Sequence, residues 1–118
     1  MRGVAMGKKK SDDGALQEID LSLNDVLIRG RVTSEAVEKE LPSGDKVSEF
    51  RLVITRSERD GVDTLDIASW SSKLRRKSAT LSINDWVEIS GSIRRRFWKS
   101  PAGIASRWQI EALEITKL

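Results

Sequence analysis

Apolar and polar positions begin to alternate at Asp25. Val26, Ile28 and Val32 fall on one parity, with Leu27, Arg29, Arg31 and Thr33 on the other, the period of two expected of a half-buried strand. Gly30 interrupts the run and predicts a bulge or a close approach by another backbone. Beyond Ser34, residues 36–41 can continue the strand past a bend, and Pro42-Ser-Gly-Asp45 is a turn by composition. A second strand runs from Val47 to Ser57, with Phe50, Leu52 and Ile54 inward and Arg51, Val53 and Thr55 outward. Asp60-Gly61 is a strong hairpin signal. The returning strand, Val62 to Trp70, turns Leu65 and Ile67 inward and Asp66, Ala68 and Trp70 outward.

The period then changes. Leu74, Lys77 or Ser78, and Leu81 recur at helical spacing behind Ser71 or Ser72, either of which can cap an N-terminus, so a short basic helix is predicted. After a turn at Asn84-Asp85, a fourth strand places Val87, Ile89 and Ile93 inward, with a bend at Gly91. Ser100-Pro-Ala-Gly103 closes another hairpin. In the last strand, Ile104 to Leu118, Trp108 and Ile110 share one parity and Leu113 and Ile115 the other, so a bulge near Glu111 is expected. Five strands with one helix between the third and fourth predict an all-β, five-stranded Greek-key OB-fold barrel over residues 24–118. A small SH3-like barrel is the main competitor. Residues 1–23 read as a flexible N-terminal arm rich in Gly, Lys, Ser and Asp, with Leu16, Ile19, Leu21 and Leu23 as its apolar contacts and Lys8-Lys9-Lys10 as a solvated run.

Composition narrows the function. The 118 residues include no cysteine and no histidine, which removes the usual general base, the thiol nucleophile and the main zinc ligands. An enzyme is not expected, nor a metal or cofactor. No apolar run is long enough to span a membrane, and no hydrophobic stretch follows the N-terminal charges, so a cytoplasmic protein is expected. The net charge is only +3. From Lys73 to Lys99, however, eight basic residues face two acidic ones, Asp85 and Glu88, a concentration suited to phosphates.

Within that segment, Ser92-Ile-Arg-Arg-Arg-Phe-Trp98 and Lys99 combine cations with rings. Alternation sets Arg94, Arg96 and Trp98 on one face and Ile93, Arg95 and Phe97 on the other, with Phe97 read as core. Guanidinium groups beside a flat ring suit single-stranded nucleic acid. The competing reading is an edge strand protected by charge; closure of a barrel, which leaves no free edge, favours binding. Arg29, Arg31, Arg51 and Arg56 lie on outward parity and can border the same groove, whereas the helix cations Lys73, Arg75, Arg76 and Lys77 suit a solvated face equally well.

The ordered series Asn24-Asp-Val-Leu-Ile-Arg-Gly-Arg-Val32, Leu41-Pro-Ser-Gly44, Phe50-Arg-Leu-Val-Ile-Thr-Arg56, Asp66-Ile-Ala-Ser-Trp70, Asp85-Trp-Val-Glu-Ile-Ser-Gly91 and Ile93-Arg-Arg-Arg-Phe-Trp98 resembles the bacterial single-stranded DNA-binding protein (SSB) family. The resemblance implies sequence-tolerant binding of single-stranded DNA without catalysis, in replication, repair or recombination. It also implies a homo-oligomer, tetramer or dimer. Stacking positions of that family fall on Trp70 and Trp98, and Trp108 stands where an aromatic is frequent. Glu58 and Thr64 replace two others, so the load is expected to shift to arginine and the fourth strand. The sequence ends at Thr116-Lys-Leu118 without the family's acidic C-terminal tail, so its recruitment of repair enzymes is not carried over. A primosomal or RNA-binding OB module, or an OB domain for protein interaction, is the alternative.

Overall fold

The computed structural model describes residues 18–118; the expectations for residues 1–17, the Lys8–Lys10 run included, lie outside the described residues. Five strands, β1 (Val26–Glu40), β2 (Lys46–Thr55), β3 (Val62–Ser69), β4 (Trp86–Ser100) and β5 (Gly103–Lys117), and one helix, α1 (Ser72–Ala79), follow the predicted order. The strands close a barrel in the order β1-β2-β3-β5-β4. All pairings are antiparallel except β3 with β5, where Ile67 stands opposite Ile110 and Ala68 opposite Glu111.

Parity governs what fills the barrel. Val32, Phe50, Leu52, Ile67, Val87, Ile89, Ile110 and Ile115 form the core, and Leu81 joins it from beyond the helix. Each such side chain contributes about 1.5–3 kcal/mol by leaving water. Ser71 caps α1 by accepting from the Leu74 amide (3.1 Å), and the half-buried Leu74 packs against the core. Ser78 is fully buried under the helix. Its hydroxyl donates to the Leu74 carbonyl (2.9 Å), so the bond to Ser69 (2.8 Å) takes its proton from Ser69.

Two glycines are required by close backbone approach. A Cβ on Gly30 would lie 2.7 Å from the Val53 carbonyl oxygen, and one on Gly91 only 2.0 Å from that of Glu111. The β4–β5 register slips between Ser90 and Gly91. Leu113 is thereby the extra residue and points to solvent, while Ala112 and Ile115 are both buried. The expected bulge exists, two residues beyond Glu111.

Three expectations need correction. Ile93 and Phe97 keep the inward parity but not the burial: they are 43% and 64% exposed. The 15-residue strands β4 and β5 outrun the barrel, so the inward face continues past the core into water. Nor is the molecule free of edges. β1 pairs with β4 only as far as Gly91, and from Ser92 to Ser100 that edge of β4 carries no strand among the described residues. Finally, the basic segment is not one surface, because Lys73, Arg76 and Lys77 line a separate groove of about 470 Å³ against Leu113–Thr116.

Candidate nucleic-acid interface

The overrunning hairpin is the distinctive surface of the molecule. Ser92–Ile110 holds Arg94, Arg95, Arg96, Lys99 and Arg107 with no carboxylate, together with Phe97, Trp98 and Trp108. The turn at Ser100–Gly103 fixes the register, so Arg94 stands opposite Gln109, Arg95 opposite Trp108, Arg96 opposite Arg107 and Trp98 opposite Ala105. The ribbon therefore has two chemically distinct faces.

On one face, Arg94, Arg96, Trp98, Arg107 and Gln109 lean over the outer surface of β2. Glu49 organises it. Arg96 Nη1 contacts its Oε2 (2.5 Å), Gln109 Nε2 donates to the same oxygen (2.7 Å), and Lys39 Nζ reaches Oε1 (2.8 Å). Asp66 holds Arg51 (2.9 Å) and Arg107 (3.3 Å), and the Arg107 guanidinium lies 5.9 Å from the Trp98 ring centroid. Arg94 reaches Glu111 at 3.5 Å. Between them, Lys39, Arg96, Trp98, Arg107 and Gln109 enclose a groove of about 380 Å³. Of the predicted residues, Arg51, Arg94, Arg96 and Trp98 meet here.

The opposite face carries Arg95, Phe97, Lys99 and Trp108. Arg95 sits 5.1 Å from the Trp108 centroid and 5.8 Å from that of Phe97, and donates to the Ser106 hydroxyl (2.8 Å). Such guanidinium–ring contacts hold the side chains in place at about 0.5–1 kcal/mol each. Trp98 remains 40% exposed and Trp108 58%, so both rings offer surface to a ligand, but on different sides of the ribbon.

The remaining predicted residues stand elsewhere. Arg29 pairs with Glu88 (2.6 Å) and Arg31 donates to Asn84 (2.8 Å); Glu88 is eight residues from Arg96 along β4, or about 26 Å. Arg56 is held by Asp63 (3.0 Å) at the β2–β3 turn. Trp70 lies just past β3, half-buried, with its carbonyl bonded by Arg75 and its indole N–H enclosed without a partner among the described residues. Parity alone turns Arg95 and Phe97 inward and ranks Arg95 below Arg94 and Arg96, and sequence reasoning does not single out Arg107, Lys39, Glu49 or Gln109, all of which the structure brings to the ribbon. The hairpin register, once the turn at Ser100–Gly103 is taken as two residues, places Arg107 beside Arg96; nothing local marks Glu49 as its counter-ion.

Burial pushes the Glu49 carboxyl up, but hydrogen bonds from Lys39 and Gln109 and the charges of Lys39 and Arg96 outweigh it. The group is thus held below its ordinary value of 4.5. A lowered folded-state pKa gives stability that is complete above the unfolded value and is lost as pH falls through the folded one. Between about pH 6 and about pH 3 the urea midpoint of the parent is therefore expected to drop more than that of Glu49→Gln, which has no proton to gain there. Parallel acid profiles of the two proteins would remove Glu49 from this role.

A closed barrel of this topology, with a cationic, aromatic hairpin projecting from it, is an oligonucleotide-binding fold by architecture. Residues 23–117 match the sequence model of the single-strand binding protein family, and the chain belongs to that family. A solved structure of Plasmodium falciparum SSB in complex with ssDNA has a similar fold, with a TM-score of 0.69 and 22% identity. The alignment covers 82% of this chain and 96% of that one. Among curated proteins none matches significantly.

Proposed function

We propose that this protein binds single-stranded DNA without catalysis and with little sequence preference, its bases stacking on the hairpin rings and its phosphates paired with the hairpin cations. The observation that carries the reading is the ribbon itself, with five cations, no carboxylate and three exposed rings. Phosphate pairing releases counterions and so weakens with salt, whereas stacking accepts any base. A single strand is flexible enough to cross the free edge of β4 and use both faces. A duplex, stiff over about 50 nm, cannot follow so tight a path.

In this reading Trp98, Arg94, Arg96 and Arg51 serve one face and Trp108, Phe97, Arg95 and Lys99 the other. Trp70 forms a further platform, and Arg29, Arg31 and Arg56 are outlying contacts for a longer strand. Replication, repair or recombination in the cytoplasm is the setting such binding suits. Leu27, Trp86, Leu113 and Leu118, all exposed, supply apolar surface for association into a dimer or tetramer. The test is tryptophan fluorescence during titration with oligo(dT), oligo(rU) and duplex at low and high salt. Quenching by oligo(dT) that salt reverses, with weak response to duplex, is expected. Absence of salt-sensitive binding at low ionic strength overturns the proposal, and tighter binding of oligo(rU) reassigns the ligand to RNA.

A further inference from the structure

The bare edge of β4 has a counterpart within the chain. β1 runs beside β4 from Arg31 opposite Trp86 to Val26 opposite Gly91, and then departs. Two residues earlier, the Asn24 side chain does what a neighbouring strand's backbone does. Its Nδ2 donates to the Ile93 carbonyl (2.7 Å), and its Oδ1 accepts from the Ile93 amide (2.8 Å). The peptide groups of Ile93 therefore point away from β5, and by the period of two so do those of Arg95, Phe97 and Lys99. Such an edge accepts an added strand.

Ile19–Leu23 has the pattern of a strand without a partner. Ile19, Leu21 and Leu23 alternate with Asp20 and Ser22 and are 68%, 72% and 75% exposed, and the segment has no regular secondary structure. Continuing the β1–β4 register without a slip puts Leu23 opposite Arg94, Ser22 opposite Arg95, Leu21 opposite Arg96, Asp20 opposite Phe97, Ile19 opposite Trp98 and Glu18 opposite Lys99. The chemistry agrees on both faces. Asp20 falls diagonally between Arg95 and Lys99, and Glu18 directly meets Lys99, while Ile19 meets the Trp98 ring and Leu21 and Leu23 lie along arginine stems. A slip of one residue exchanges the faces and loses these pairs.

We infer that residues 18–23 act as a strap that docks in cis on the free edge of β4, with Asn24 as its hinge, and turns the two-stranded hairpin into a three-stranded sheet. Docked, the strap's carboxylates occupy Arg95 and Lys99 and its Ile19 covers Trp98, so strap and polyanion exclude each other. That consequence rests on the nucleic-acid reading; the docking does not.

The chain has no cysteine, so paired substitutions report on one contact alone. Leu21→Cys/Arg96→Cys and Leu23→Cys/Arg94→Cys occupy positions opposite each other at the closely spaced, non-hydrogen-bonded sites of this register. Both are expected to form an intramolecular disulfide at least about tenfold faster than Leu21→Cys/Arg107→Cys, whose second cysteine lies on the far strand of the ribbon. Mass under non-reducing conditions reads the result. Equal rates, no disulfide, or a covalent dimer as the main product overturns docking in cis. The oxidised Leu21→Cys/Arg96→Cys protein is then compared with its reduced form for oligo(dT) binding, where the closed strap is expected to weaken affinity at least about tenfold. Equal affinity overturns the exclusion while the cross-link stands. Failure of the parent protein itself to bind oligo(dT) counts against the functional reading only.

Discussion

Trp98→Ala and Trp108→Ala are each expected to weaken binding of a long oligo(dT) by about 1–3 kcal/mol, the range for loss of one base–aromatic stack. The double variant is expected to lose the sum. The two rings occupy opposite faces of the β4–β5 ribbon, with separate cation partners, Arg107 for Trp98 and Arg95 for Trp108, and independent sites add. Neither ring belongs to the barrel core, Trp98 being 40% and Trp108 58% exposed, so truncation leaves that core intact and the urea midpoint is expected to change little. Oligonucleotide length adds a second reading. A strand too short to cross the β4 edge can use one face only, so its affinity is expected to respond to one substitution and not to both. A double variant no weaker than its weaker parent would confine binding to a single face.

The fold was legible because parity and turn chemistry are local. Val26–Val32, Phe50–Ile54 and Val87–Ile89 announce their inward faces by alternation, Ser71 announces the helix, and Asp60-Gly61 and Ser100–Gly103 announce the hairpins. What parity cannot convey is where the barrel stops. Phe97 keeps the phase of Ile89, but its burial depends on whether another strand reaches that far, and β1 has already left at Gly91. An alternating pattern predicts which residues share a side, not what lies on that side.

The same limit shaped the site. Arg94, Arg96 and Trp98 share a face that the local sequence predicts, because a strand puts alternate residues together whatever the fold. Parity alone groups Arg29 and Arg31 with them, and the structure sets them about 26 Å away along β4. The counter-ions were invisible for a related reason. Glu49 meets Arg96 across 47 residues of chain, and Asp66 meets Arg107 only because β3 and β5 lie in parallel. Long-range register places these carboxylates, and a carboxylate in the middle of a strand reads locally as an ordinary outward residue. The cations are thus held in place by acids, which makes the face more rigid and less positive than its arginine count suggests.

The hairpin's direction depends on one residue, and Gly91→Ala is expected to be the most damaging small substitution in the protein. Gly91 is buried where the β4–β5 register slips and β1 lets go of β4. A Cβ there would stand 2.0 Å from the Glu111 carbonyl oxygen and 3.2 Å from the Ala112 Cα. The obstructing atoms are backbone, so no side-chain rotation relieves the clash, and two paired strands must separate to admit one methyl group. Overpacking costs of about 3 kcal/mol are reached even where side chains can yield, and a loss of at least that size is expected in the urea-derived stability. Gly44→Ala provides the contrast. Its Cβ would meet nothing within 4 Å, but the backbone there has a φ of +93°, so only the conformational term applies, about 1 kcal/mol. If Gly91→Ala costs no more than Gly44→Ala, the close approach of β4 to β5 is not what fixes the bulge. If stability falls as expected, a second consequence follows from position alone. Any variant rescued by widening the β4–β5 spacing at Glu111 re-aims everything beyond it, and Trp98 and Trp108 then point away from their present faces. Such a variant is expected to be folded, to retain tryptophan fluorescence and to bind oligo(dT) weakly.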